Sequence, residues 1–159
     1  MNSAHFHLIV NHLPIVGLLI GTLVLITGLV IKKTDVNLTA LGVLIFSAIT
    51  SIVAFYTGEG AEEVVENLPG ISETLIHTHE EYAESFFVLT LILGGLSLLT
   101  FITELIKFKI SKYLIILCLL GAIADGILAQ YVGTSGGEIR HSEIRSDAKM
   151  IPLENNDDD

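Results

Sequence analysis

Four apolar runs constrain this chain more than any other feature: Pro14 to Ile31, Leu38 to Tyr56, Tyr82 to Leu105 and Tyr113 to Val132. Each is about 20 residues long, enough to cross the hydrocarbon core of a bilayer. Lipid offers no hydrogen bonds, so a spanning backbone must close its own, as a helix does. The 51% hydrophobic share and mean hydropathy of +0.68 exceed what a soluble domain of 159 residues carries. The expected fold class is all-α, an integral membrane four-helix up-down-up-down bundle over residues 1–145. A polar acidic tail, 146–159, is expected to be disordered.

Lysines set the orientation. Lys32 and Lys33 close the first run, and Lys107, Lys109 and Lys112 fill the short link between the third and fourth. Positively charged short loops stay on the cytoplasmic side. Both termini and the long middle loop then face outward, into the periplasm of a bacterial inner membrane. The N-terminus has neither the basic region nor the cleavage site of a secretory signal and reads as mature sequence. The single cysteine, Cys118, lies inside a span and rules out an intramolecular disulfide. A net charge of -10 argues against nucleic-acid binding.

In this topology all six histidines lie outward. His5, His7 and His12 open the first helix, His77 and His79 precede the third span, and His141 follows the fourth. Asn11, His12 and Pro14 either start that first helix or kink it below His12. A bundle brings these ends within a patch of roughly 15–20 Å. Carboxylates sort the same way. Glu59, Glu62, Glu63 and Glu66 continue the second helix, and Glu73, His77, Glu80 and Glu84 form a stripe on one face leading into the third. Ser72 is a candidate cap, and Asn67 to Gly70 a turn between the two projections. These stripes are either a solvated face or a cation site. The run Gly133 to Gly137 is glycine-rich enough to turn tightly. Beyond it, Glu138 and His141 have the Glu-x-x-His spacing of di-iron bundles. Gly17 with Gly21, and Ala122 with Gly126, are small pairs suited to close helix packing. Ser47, Ser51, Ala54 and Gly58 form a small stripe that permits close contact or room for a flat cofactor.

The segment His7-Leu-Ile-Val-Asn-His12-Leu-Pro14-Ile15, with Thr57-Gly58, His77 or His79, and Gly136-Gly137 ahead of His141, resembles a family. It is the bacterial four-helix membrane family catalogued as domain of unknown function 2231. The likeness runs over nearly the whole chain. Leu8 and Leu13 stand where that pattern has proline and an aromatic residue. The resemblance implies association with respiratory redox proteins, including cytochrome c and Rieske-type modules.

Three functions follow as expectations. The first is electron transfer through a b-type heme held by two histidines drawn from His7, His12, His77, His79 and His141. The second is a Zn, Cu or Fe site built from His5, His12, His77, His141, Glu59, Glu80 and Glu138, for metal sensing, handling or oxygen chemistry. The third is a docking subunit of a respiratory complex with no cofactor. Whether the chain is an enzyme stays open, since it carries no phosphate loop, no nucleophile with a placed base and no Cys-x-x-Cys-His. Expected partners are the lipid bilayer and periplasmic or membrane redox proteins. Asp125, about 10 Å below the outer end of the fourth helix, is expected to accept the free N–H of a ligating histidine, His12 above all, or to be neutral and bonded to Gln130 or helix backbone.

Overall fold

The computed structural model describes residues 3–68 and 71–145. The expected disordered tail, 146–159, and Pro69-Gly70 of the expected turn lie outside them. The described residues form α1 (Ser3–Val10), α2 (His12–Ile31), α3 (Thr34–Val65), α4 (Glu73–Leu105) and α5 (Ser111–Arg140), then one 3-10 turn, Ser142–Ile144. Taken as one rod, α1 and α2 make the first of four helices long and apolar enough to cross a membrane. The fold is therefore the expected all-α four-helix bundle. Around it the order is α2, α3, α4, α5, each packed on the next, with α5 returning to α2.

The bundle has the inside-out character that lipid demands. Its exterior is apolar, with Leu19, Leu23, Ile92, Leu120 and Ile127 all exposed. Its interior mixes leucines with Ser47, Ser51, Thr90, Ser97 and Thr100, all buried. Small residues bring backbones close enough for dispersion and polar contacts to hold helices together without a hydrophobic drive. A Cβ on Gly17 would sit 3.2 Å from the Ser47 Cβ, and one on Gly94 would sit 2.2 Å from the Ala48 Cβ. The Ser51 and Thr100 hydroxyls donate to carbonyls of their own helices, and the Ser47 hydroxyl donates across helices to the Pro14 carbonyl at 2.6 Å. Of the two expected small pairs, Gly17 with Gly21 faces α3, but Gly126 points outward from Ala122 with open space around it.

The chain is two helical hairpins built alike. Each first helix ends in a lysine with positive φ, Lys32 at 56° and Lys107 at 54°. In each, the next residue's N–H reaches back five positions, Lys33 to the Gly28 carbonyl and Phe108 to the Thr103 carbonyl. This left-handed C-cap satisfies carbonyls that a helix end leaves orphaned.

Helix ends depart from the apolar limits at the end where the histidines lie. There α3 runs to Val65 and α4 starts at Glu73, while α5 continues through Gly133–Gly137 to Arg140. The glycine run is helix, not a tight turn, because helical hydrogen bonding does not require apolar side chains. Ser72 stands at the N-cap of α4 with extended backbone, though its side chain makes no capping bond. The first helix begins at Ser3 and breaks at Asn11. Pro14 lacks an N–H, so the Val10 carbonyl loses its helical donor there.

Candidate functional site

At the histidine end, two imidazoles are held in matching ways. His7, on α1, places Nδ1 3.0 Å from the Thr57 hydroxyl of α3. His79, on α4, places Nδ1 3.1 Å from the Ser135 hydroxyl of α5. In each case the first helix of a hairpin supplies the histidine and the second supplies the hydroxyl. Each hydroxyl is followed by a glycine against the ring. A Cβ on Gly58 would lie 3.8 Å from His7 Cε1, and one on Gly136 would lie 3.0 Å from His79 Cε1.

Both hydroxyl protons are already committed. Thr57 Oγ1 donates to the Val53 and Ala54 carbonyls at 2.9 and 3.0 Å, and Ser135 Oγ donates to the Val132 carbonyl at 3.2 Å. With its proton on a carbonyl, each hydroxyl oxygen would accept a hydrogen carried by Nδ1. In that tautomer Nε2 of each ring would be a lone pair. Both rings are half-buried, and His7 lies near enough to His79 for a charge on one to be felt at the other.

Helix rotation selects these two. A helix turns by about 100° per residue. On the first rod Val10, Pro14 and Gly17 face inward, and His7 shares their side. His12, two residues before Pro14, faces out and is exposed, beside the Asn11 side chain, with which it hydrogen-bonds. On α4 the buried residues Ile76, Phe86 and Thr90 share the side of His79, whereas His77 is 72% exposed and pairs with Glu81 at 3.6 Å. His5 is exposed, and so is His141, which contacts Glu143 at 3.0 Å.

Around the pair, the seams differ. Phe55 stacks on Phe87 at 4.3 Å between α3 and α4, and Tyr82 on Tyr131 at 5.2 Å between α4 and α5. On the remaining side α1 rests on α3, and among the described residues none of its Cα atoms comes within 8 Å of α4 or α5. That side is open.

The carboxylates form a separate group above. Glu62 of α3 meets Glu80 of α4 side chain to side chain. They line an open depression of about 470 Å³ with Glu66, Glu73 and His77. Glu59 lines a neighbouring depression with Glu62, Glu63 and Glu66, apart from Glu80, and Glu138 lies on α5. Among the described residues, no three His, Cys, Asp or Glu side chains converge in a way that could hold a metal ion.

Asp125 corrects an expectation. It is fully buried, and its Oδ2 accepts from the Thr90 hydroxyl at 2.8 Å, not from His12 or Gln130. Its Oδ1 has no partner. Ten residues separate it from Ser135, about 15 Å of helix, so it sits well below the imidazole pair. The residues that sequence reasoning missed as histidine partners are Thr57 and Ser135. Their signal was a repeated hydroxyl-glycine dipeptide, Thr57-Gly58 and Ser135-Gly136, at the same end of the second and fourth helices.

Comparison of the chain with protein-family models, with curated proteins and with solved structures finds no match.

Proposed function

We propose that this chain is a membrane electron-transfer protein in which His7 and His79 hold one b-type heme. The observation that carries the reading is the matched pair of braced imidazoles, each with a bare Nε2 and each backed by glycine. The donor set fits heme better than a bare ion. Zinc asks the protein for three or four ligands. A porphyrin supplies four nitrogens itself, so its iron needs only two axial groups from the protein. Two imidazoles from different hairpins are what this site offers. When bound, the group would supply one-electron chemistry. The chain's own residues would bind and orient: His7 and His79 present Nε2, and Thr57 and Ser135 brace the rings.

The lysine bias supports placing this end outside the cytoplasmic membrane, with both termini periplasmic. Within that orientation, cytochrome c-like or membrane redox proteins are the partners the sequence resemblance implies. Cysteine labelling from outside would reach a cysteine at Ser142 and not one at Thr34.

An absorption spectrum of the detergent-purified protein tests the heme reading. A reduced α band near 560 nm, roughly where b-type hemes absorb, with one heme per chain, is the expected result. Stoichiometric metal without that band would replace it with a metal-ion function, and neither would leave a docking subunit.

A further inference from the structure

We infer that Thr57 and Ser135 are positioning residues that preset His7 and His79, before any ligand arrives, as Nδ1–H tautomers with Nε2 unprotonated. The inference rests on the imidazole-pair reading and deepens it. A free neutral imidazole in water prefers the opposite tautomer, with its hydrogen on Nε2. That form cannot ligate through Nε2 without first losing or moving the proton. In this fold the choice is made by the helices behind the rings. Each hydroxyl spends its single proton on a carbonyl three or four residues earlier, so it can only accept from the ring.

The acceptors are also neutral. A carboxylate in this place would pull on the Nδ1 hydrogen and enrich the ring, favouring the oxidised state of a bound iron. A hydroxyl orients the ring and pulls in the same direction, more weakly. Ring position and electron richness would thus be set by two side chains that do not themselves ligate. That both hairpins use the same device, with Thr in one and Ser in the other, makes it a repeated element of the fold.

Nitrogen-15 NMR of the histidine rings in cofactor-free, detergent-solubilised protein reads the tautomers directly. Two histidines, assigned by His7→Gln and His79→Gln, are expected as Nδ1–H, against the solution preference. Thr57→Val and Ser135→Ala are expected to shift their own ring toward the solution form. In heme-loaded protein they should weaken heme retention by about tenfold or more and raise the midpoint potential. Thr57→Ser and Ser135→Thr should restore wild-type behaviour, and Thr57→Ala serves if the valine variant does not fold. Finding both wild-type rings protonated on Nε2 overturns the inference. So does heme retention and potential unchanged in Thr57→Val and Ser135→Ala. If the wild type binds no heme, the proposed function fails, and the ring tautomers alone decide this inference.

Discussion

Gly136→Ala is the sharpest single-atom probe of the imidazole pair. The added Cβ would lie 3.0 Å from His79 Cε1, 3.3 Å from Nδ1 and 3.6 Å from Nε2. Relief needs a ring shift of about 0.5 Å, since carbon contacts settle near 3.5 Å or more. Ser135 holds Nδ1 at 3.1 Å, so that shift stretches the hydrogen bond to its useful limit. Overpacking of this kind costs about 1–3 kcal/mol. Alanine in place of a helical glycine returns about 0.5–1 kcal/mol. The net expectation is a loss of about 0–2.5 kcal/mol in stability, with a displaced His79 ring. Gly133→Ala, on the same helix with open space around it, keeps the helical gain alone. Gly58→Ala, with its Cβ 3.8 Å from His7, should be tolerated. Heme stoichiometry and thermal unfolding in one detergent compare all three. Equal heme binding and unchanged spectra in Gly136→Ala and Gly133→Ala would refute the claim that His79 is held against this glycine.

Three further outcomes test the frame around the site. Thr90→Val leaves both oxygens of Asp125 without a donor and should lower thermal stability by about 1–3 kcal/mol, while leaving the histidine site spectroscopically unchanged. Gly94→Ala sets two backbone-fixed methyl groups 2.2 Å apart and should destabilise the α3–α4 seam by about 1–3 kcal/mol or more. Adding Ala48→Gly should recover most of that loss, a coupling read from a double-mutant cycle of unfolding midpoints. Ser3→Cys with Gly60→Cys, in a Cys118→Ala background, should form a disulfide pinning α1 to α3. The two Cβ positions lie 2.9 Å apart and need open only about 0.6–1 Å to suit the bond. A failure to shift mobility on a non-reducing gel would contradict the seating of α1.

Membrane helices announce themselves, because lipid demands long apolar runs and a closed backbone; the four spans were legible for that reason. Their ends were not. Hydropathy stops at the interface, whereas α3, α4 and α5 keep their backbone bonds beyond it to Val65, from Glu73 and to Arg140. Clustering of histidines was also legible, but not which ones turn inward. His12 looked the deepest, yet Pro14 is buried and two residues of helix rotate His12 away from that face. The partner of Asp125 depends on interhelical rotation, and Thr90 on the neighbouring helix wins over a histidine in the far hairpin. Thr57-Gly58 and Ser135-Gly136 carried a signal in plain view, a repeated dipeptide, whose meaning needed the opposing rings to be seen.

Electron paramagnetic resonance of the oxidised, purified protein, run on the wild type and on single alanine variants of all six histidines, tests the central claim most directly. The account predicts one low-spin, six-coordinate heme per chain in the wild type. His7→Ala and His79→Ala should each convert it to high spin or lose it, while His5→Ala, His12→Ala, His77→Ala and His141→Ala keep the wild-type signal. A low-spin signal that survives His7→Ala or His79→Ala, or one that disappears in His12→Ala alone, would contradict it.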